Sequence, residues 1–394
     1  MDAARLPRLI TALDASTHPP SRREFLTDVV VAGSALLLGS SHELLAQAPA
    51  SIRQGKLVRT IRFRGSRRFL EKIVGTGWHG RLSKDLSKLS EKTLITPNDK
   101  FYIRTRCPLN LPKAVNWKIS LRDQERAAGQ IAAKDLAKRA KPKGVHLLEC
   151  SGNGGSFGLI SAAEWSGVPI LEVLDDAGLK GENILVRGFD EHKRMPKQAM
   201  QSGCSWIFKR EQLAKSGAFL ATEMNGDPLP VDHGYPVRLL VPGWYGCTCV
   251  KWVRSIEIVA AEAKSTRHMR EYARRTQQKG TPRRAKDFRP AEMDTAAIPI
   301  RVEEWKEGKE TVFKVIGLVW GGDKVVSGLD IHIGDEPVVP VSSFAQKTHT
   351  TWSMWSHEWK PTREGRFDIW LTVRDKKVRT RRLDRRYYKR RIEI

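Results

Sequence analysis

Two stretches near the C-terminal end alternate apolar and polar residues with a period of two. Leu329, Ile331 and Ile333 alternate with polar neighbours, and residues 367–374 repeat the pattern. Because successive side chains of a β-strand point to opposite faces, this pattern predicts strands buried on one side. An apolar run at residues 312–320 predicts a further strand. About a hundred residues of short strands separated by turns predict a small β-sandwich, residues 297–394.

The middle of the chain is dense in glycine, proline and short apolar runs. Residues 145–148 predict a buried strand that ends at Glu149 and Cys150, followed by a glycine-rich turn at residues 151–155. Residues 165–178 predict a turn and then a short helix closed by Gly178. Further strands are predicted at 184–186, 238–241 and 256–259. Helices mixed with strands predict an α+β fold.

Residues 267–290 are basic, polar and helix-breaking, with few large apolar side chains. They predict a linker, which divides the chain into a first domain at 49–265, a basic linker at 266–296 and the sandwich. A chain of 394 residues is long enough for two such cores.

The composition is ordinary except for the charge. The chain carries 69 Lys and Arg against 44 Asp and Glu, a net charge of +25. Much of the excess lies at residues 53–81 and 374–391. A positive field of this size favours anions, whether small oxyanions, acidic proteins, anionic lipid or nucleic acid, and does not choose among them. For any single residue, solvated surface is the simpler interpretation.

The chain contains five cysteines, too few and too oddly numbered for a disulfide framework. No CxxC occurs, and one residue separates Cys247 from Cys249, a spacing that suits neither common zinc sites nor an easy disulfide. A CxxCH motif is also absent, which excludes a covalent c-type haem in this chain.

The N-terminal residues predict an export signal. Arg22 and Arg23 precede Phe25 and Leu26, an apolar run at residues 29–38 is too short to span a bilayer, and an Ala-x-Ala pattern ends at Ala48. This order is similar to a twin-arginine signal at residues 1–48, which predicts a periplasmic protein without a transmembrane anchor. A buried N-terminal helix with a fortuitous arginine pair is the alternative.

Six short motifs follow one another in a fixed order through the first domain. They are LLECSGN at 147–153, AEWSGVP at 163–169, MNGDPLP at 224–230, DHGYPVR at 232–238, VPGWYG at 241–246 and VKWV at 250–253. The series resembles the molybdopterin domain of the sulfite oxidase family from about residue 94 to residue 259, and more loosely through the sandwich. The resemblance implies a sulfite-oxidase-type molybdopterin domain followed by an Ig-like β-sandwich dimerisation domain.

The resemblance implies a molybdenum cofactor, Mo-molybdopterin, with the thiolate of Cys150 as the protein ligand of the metal. Soft sulfur suits a high-valent metal that the dithiolene sulfurs of the pterin already hold. Cationic and hydrogen-bonding groups suit an anionic pterin tail. The implied cofactor-binding residues are Ile103, Thr105, Asp190, His233, Arg238, Val250 and Lys251. Taken alone, Cys150 is more typical of a buried structural thiol, Arg238 of a strand-end surface residue and Lys251 of an exposed strand residue.

The resemblance also implies three catalytic residues. Arg104, in FYIRTR at 101–106, matches the arginine that faces the substrate, and a guanidinium supplies positive charge independently of pH. Arg106 stands where the family has a histidine, and Gly155 stands where it has an arginine, so one pocket cation is lost and another is expected nearby. Tyr272 is matched by spacing alone, and an ordinary loop tyrosine is the alternative.

The implied function is oxygen-atom transfer at molybdenum, namely oxidation of sulfite or a related sulfur compound to sulfate. Electrons then pass to a separate cytochrome, and a homodimer is expected. Trp352, Trp355 and Trp359 are predicted to be core and interface residues rather than catalytic.

Three alternatives stay open: reduction of an S-oxide or another oxyanion with the same cofactor, a basic anion-binding protein on this scaffold, and a cysteine hydrolase. An export signal disfavours nucleic acid as a partner.

Overall fold

The computed structural model of the chain describes residues 55–63, 69–109, 111–190, 204–272 and 291–394. The predicted export signal, residues 1–48, and residues 273–290 of the predicted linker lie outside these ranges. Among the helices within these ranges, none has the length and apolar character needed to cross a membrane.

The first part of the chain combines strands with short helices. Its strands are β1 (Lys56–Ile61), β2 (Lys118–Asp123), β3 (Arg126–Ala132), β4 (Lys141–Glu149), β5 (Ile160–Pro169), β6 (Asn183–Gly188), β7 (Ser205–Lys209), β8 (Phe219–Met224), β9 (Asp227–Pro228), β10 (Arg238–Leu240) and β11 (Val253–Val259). Its α-helices are α1 (Ala133–Arg139), α2 (Ile170–Asp176), α3 (Arg210–Ser216) and α4 (Arg267–Tyr272). Short 3-10 helices lie at Gly77–His79, Leu86–Lys88, Glu91–Thr93, Asn98–Lys100, Ala114–Asn116 and Val231–His233.

The second part of the chain consists mostly of strands. They are β12 (Ala296–Glu307), β13 (Glu310–Trp320), β14 (Leu329–Ile333), β15 (Val339–Pro340), β16 (Ser343–Phe344), β17 (Ser353–Trp359), β18 (Arg366–Val373) and β19 (Arg390–Glu393), with one short helix, α5 (Arg381–Asp384).

Two sheets build the first domain. One has the order β10-β8-β5-β4, with β9 paired to β8, and the other has the order β3-β2-β11-β6-β7. One continuous core joins them and contains the fully buried Trp117, Trp165, Trp206 and Trp252. The mixture of helices and strands confirms the α+β class.

Two further sheets, β1-β12-β13-β17-β16 and β15-β14-β18-β19, share a second core. Side chains alternate between buried and less buried along β14, as the sequence pattern predicts. Trp352, Trp355 and Trp359 are buried at 0%, 0% and 4% exposure, which confirms them as core residues. The Ig-like and dimerising character of this domain stays a prediction. Strand β1 pairs with β12. The predicted first domain, residues 49–265, therefore includes one strand that belongs to a sheet of the second domain.

The structure differs from the sequence prediction at two places. Residues 165–169, predicted as a turn, belong to β5 and pair with β8. Gly167 serves the close approach of the two strands, because a Cβ there would overlap the main chain of Leu220. The predicted linker starts as helix α4, because Met269 and Tyr272 pack into the first core, at 0% and 5% exposure.

Candidate functional site

A cleft lies in the first domain between the ends of its strands and helix α4. Its walls combine one cationic side, several thiols and several aromatic rings. The lining residues are Trp78, Phe101, Tyr102, Arg104, Thr105, Leu148, Cys150, Asp190, Cys204, His233, Arg238, Gly246, Cys247, Cys249, Lys251, His268 and Tyr272. The convergence of a few polar groups among aromatic rings and thiols is typical of a cofactor or substrate site.

Cys150 follows the last residue of β4, as predicted, and its side chain lines this cleft at 6% exposure. A tight turn fixes it: the Asn153 N–H donates to the Cys150 carbonyl oxygen at 2.8 Å, and the Gly152 N–H donates to Cys150 Sγ at 3.4 Å. These two hydrogen bonds fix the position of the sulfur at the cleft wall.

The buried carboxylate of Glu149 anchors the turn at Cys150 on the side away from the cleft. Glu149 is 0% exposed and accepts hydrogen bonds from Trp320 Nε1 at 3.0 Å and from the Tyr388 hydroxyl at 3.0 Å. Arg382 Nη1 lies 3.4 Å from the same carboxylate. All three partners belong to the second domain, so both domains determine the position of Cys150.

Two basic residues, Arg238 and Lys251, and the neutral imidazole of His233 form one side of the cleft, called here the cationic side. Arg238 donates from Nη1 to the His233 carbonyl oxygen at 3.0 Å, while its buried Nε has no hydrogen-bond partner among the described residues. Lys251 Nζ donates to the carbonyl oxygens of Thr105 and Asp232, at 2.6 and 2.8 Å. A buried donor without a partner is costly, so the Arg238 guanidinium is arranged for a group that the protein itself does not supply.

The pKa shifts on this side have a common origin. Burial, together with Lys251 and Arg238, lowers the pKa of His233 to about 3. Burial and Arg238 lower the pKa of Lys251, and burial raises the pKa of Asp190. Arg238 and Lys251 thus lie close enough to repel each other, and an anionic ligand would offset that repulsion.

Arg104 and Tyr272 lie on the wall of the same cleft as Cys150. The guanidinium of Arg104 lies 5.1 Å from the ring centroid of Trp78, and its buried Nη1 has no hydrogen-bond partner within the described part of the chain. Burial and the nearby Cys150 raise the pKa of Tyr272. The Tyr272 hydroxyl therefore stays protonated and able to donate a hydrogen bond over the whole physiological pH range.

Three residues expected at the site lie elsewhere. Arg106 is not among the residues that line the cleft, because its Nε pairs with Asp232 Oδ2 at 3.0 Å. The expectation that Arg106 supplies a pocket cation is therefore corrected. Ile103 pairs with Leu82 through its main chain, and Val250 packs in the core at 0% exposure, so neither side chain lines the cleft.

The structure adds a cation that sequence reasoning missed. Arg81 Nη1 donates to the carbonyl oxygens of Trp78 and Arg104, which ties together two residues of the cleft wall. Burial and the charge of Arg104 lower the pKa of Arg81 to about 10. Arg81 belongs to no motif, and the sequence carries no signal that separates it from the many other arginines.

The remaining thiols of the cleft were also missed as site residues. Cys204 Sγ lies 3.3 Å from His268 Nε2, and His268 Nε2 lies 2.9 Å from the Cys247 carbonyl oxygen. Burial raises the pKa of Cys204, Cys247 and Cys249, so these thiols stay neutral. The odd spacing of Cys247 and Cys249 was the only available signal, and it indicated no role.

The residues present fit a pterin cofactor with a metal and an anionic tail. Cys150 offers a buried sulfur at the cleft wall, and Arg238 offers a buried donor without a protein partner among the described residues. Lys251 adds a second cation, and the neutral His233 adds a hydrogen-bonding imidazole. A soft ligand at one place and an excess of positive charge at another correspond to the two chemical halves of such a cofactor.

Comparisons with known proteins agree with this geometry. Residues 107–267 match the family described as oxidoreductase molybdopterin binding domain. Over 206 residues the chain is 28% identical to the sulfite oxidase of Gallus gallus, covering 47% of this chain and 44% of that protein. Over 218 residues it is 27% identical to the nitrate reductase (NADPH) of Mycosarcoma maydis, covering 46% of this chain and 22% of that protein.

A solved structure shares the fold. The sulfane dehydrogenase SoxCD from Paracoccus pantotrophus superimposes with a TM-score of 0.59 and 20% sequence identity, over 79% of this chain and 79% of that chain. The chain spans less than half the length of each of these two curated relatives.

Proposed function

Because the chain belongs to the sulfite oxidase family of molybdopterin-binding oxidoreductases, which carry the molybdenum cofactor, we propose that it oxidises sulfite to sulfate. Bound molybdenum cofactor supplies the oxygen-atom transfer and the two-electron redox step. The observation that carries the proposal is the position of Arg104, whose buried Nη1 lacks a partner among the described residues on the wall that also presents Cys150.

The residues of the chain divide into two groups by what they do. Cys150 would be the metal ligand, and Arg238 and Lys251 would hold the anionic tail of the cofactor, with the neutral His233 as a hydrogen-bonding neighbour. Thr105 and Asp190 line the cleft beside Lys251 and complete the cofactor-binding group. Burial removes competing water from these contacts, which strengthens each charge-assisted hydrogen bond.

Arg104 and Tyr272 act on the substrate. Arg104 binds the dianionic oxyanion and orients its sulfur toward the metal side; the Trp78 ring lies against its guanidinium, and Arg81 bonds its main-chain carbonyl oxygen. Tyr272 remains protonated, so its hydroxyl donates a hydrogen bond to a reacting oxygen. Arg81 lies outside the cleft lining and supports the wall by bonding the main chain of Trp78 and Arg104, while Arg106 pairs with Asp232.

A second candidate is reduction of an S-oxide or another oxyanion such as nitrate with the same cofactor. The similarity to a nitrate reductase over 218 residues favours it. Gly155 stands in place of an arginine in the sulfite oxidase pattern. The site therefore has one cation fewer, which reduces its preference for a dianionic substrate.

Partners and location follow from the same proposal. Each sulfite oxidised releases two electrons, which leave singly to a separate cytochrome. The export signal, the periplasmic location and the homodimer expected from the sequence belong to the proposal as well. The alternative of an anion-binding protein without redox chemistry predicts that the purified protein contains no molybdenum.

The test compares wild-type protein, made in a molybdate-supplied host, with Cys150→Ser and the control Cys107→Ser, whose thiol donates to the Pro108 carbonyl oxygen outside the cleft lining. Molybdenum content and steady-state rates with sulfite, nitrate and a sulfoxide are measured. We expect sulfite turnover in the wild type and control, and loss of turnover in Cys150→Ser. Molybdenum-loaded wild type that turns over nitrate or sulfoxide but not sulfite supports the second candidate instead.

A further inference from the structure

The Arg-rich C-terminal segment, residues 374–394, carries eleven Arg and Lys against three Asp and Glu. Arg385, Arg386, Lys389 and Arg391 are exposed. Lys389 and Arg391 both pair with the single carboxylate of Asp368, so their combined charge exceeds that of their partner. The segment therefore presents a concentrated positive surface, and the proposed reaction gives it no role.

This segment also contacts the turn that presents Cys150. The Tyr387 hydroxyl donates to the Asn153 carbonyl oxygen at 2.8 Å, and the Asn153 N–H donates to the Cys150 carbonyl oxygen at 2.8 Å. Tyr387 itself is 38% exposed. Two hydrogen bonds and the main chain of one residue thus connect the metal-ligand residue to an exposed phenol ring.

The contact is closely packed rather than incidental. The Tyr387 ring lies 5.8 Å from Phe157 and 5.1 Å from Tyr388, both edge to face. A Cβ added at Gly154 would lie 2.8 Å from the Tyr387 hydroxyl oxygen, so the absence of a side chain there permits the contact. Such packing holds Tyr387 at a constant distance from the Cys150 turn, as electron transfer requires.

We propose that the surface formed by Arg385, Arg386 and Lys389 around Tyr387 is the docking site for a redox protein with an acidic surface. The inference rests on the proposed function, because that reaction needs an external one-electron acceptor. One sulfite and one water give one sulfate, two protons and two electrons, so two oxidised haem proteins are reduced for each turnover.

Two observations favour an acidic carrier at this place. None of residues 374–394 lines the cleft, so a carrier bound here leaves the substrate entrance free. Complementary charge increases the rate of encounter, and this effect decreases with added salt. Acidic lipid has the same charge but accepts no electrons, so the connection to the metal turn favours a redox protein.

The test uses the double variant R385E/R386E and the matched control K134E/K138E, which makes the same change of charge on exposed residues of α1. An acidic and a basic c-type cytochrome serve as acceptors, and ferrocenium-methanol serves as a small acceptor. We expect R385E/R386E to lower kcat/KM for the acidic cytochrome about tenfold or more. The control is expected to change it less than threefold, and rates with ferrocenium-methanol should stay within twofold in both.

Calorimetric binding of the oxidised acidic cytochrome at low ionic strength is measured in parallel, because it needs no turnover. Lack of sulfite oxidation by wild type with the small acceptor refutes the proposed reaction, while the binding data still decide on the docking site. Equal weakening of cytochrome binding in both variants overturns the docking site. The docking site is also overturned if R385E/R386E loses binding to phosphatidylglycerol vesicles but binds the cytochrome as the wild type does. That result would assign the surface to lipid.

Discussion

Arg382 and Glu149 form a buried ion pair across the two domains, with Nη1 3.4 Å from Oε1, although the two residues are 233 positions apart along the chain. Burial lowers the pKa of Arg382, but Glu149, Tyr388 and Tyr245 raise it above its usual value. The same guanidinium donates from Nη2 to the Ser151 carbonyl oxygen at 2.8 Å. Its contacts therefore fall on both neighbours of Cys150, and the second domain stabilises the turn that presents the thiol.

Replacing Arg382 should destabilise the protein strongly. R382M leaves the Glu149 carboxylate buried without its cation, which costs about 3 to 5 kcal/mol. The double variant E149Q/R382M should recover part of this loss, because a neutral amide then replaces the buried carboxylate. Urea unfolding measures both, with R385M as the exposed control. A loss in R382M no larger than in R385M contradicts the structural role of the pair.

Adding a methyl group at Gly154 should disturb the Tyr387 contact. G154A places Cβ 2.8 Å from the Tyr387 hydroxyl oxygen, and such overpacking costs about 1 to 3 kcal/mol. Y387F removes that oxygen and should rescue part of the loss in the double variant, although it alone costs about 1 kcal/mol through the lost bond to Asn153. Thermal unfolding of the three variants tests this, and additive losses would count against the contact.

Arg104 and Arg106 should differ sharply although only one residue separates them. R104K keeps the charge but loses the planar donor group in the cleft, so kcat/KM for sulfite should fall about 100-fold. R106K should lose less than about tenfold, because Arg106 pairs with Asp232 outside the cleft lining. Steady-state kinetics with sulfite measure both losses. A larger loss of kcat/KM in R106K than in R104K would support the catalytic role that the sequence predicts for Arg106.

Stability should decrease as the pH falls from about 6.5 toward 4. Burial lowers the pKa of His146 to about 4, so between these values the unfolded chain binds a proton that the folded chain does not. The proton favours unfolding, and the stability contributed by neutral His146 is present above about pH 6.5 and lost as the pH falls.

His146 lies outside the cleft lining, so this effect does not depend on the cofactor. H146N should reduce the difference in unfolding free energy between about pH 7 and pH 5 by about 1 to 2 kcal/mol. The exposed His79 provides the control variant H79N. An unchanged pH dependence in H146N shows that the imidazole is solvated in the folded state.

Much of the fold was predictable because its signals are local. Alternation along residues 329–333 and 367–373 predicted β14 and β18, and the apolar run before Glu149 predicted the strand end that carries Cys150. The local pattern failed at residues 165–169 and in α4. There, pairing with β8 and packing of Met269 and Tyr272 decided the conformation.

The sequence by itself determined the cofactor class and predicted Cys150, His233, Arg238 and Lys251 as its contacts, because these residues lie in contiguous motifs whose order can be compared with a family. Only the tertiary structure decided that Arg104 rather than Arg106 lines the cleft, that Arg81 supports it and that Arg382 and Tyr387 reach the Cys150 turn. These last contacts join residues more than 200 positions apart. Local sequence patterns carry no information about them, since the partners meet only when both domains have folded.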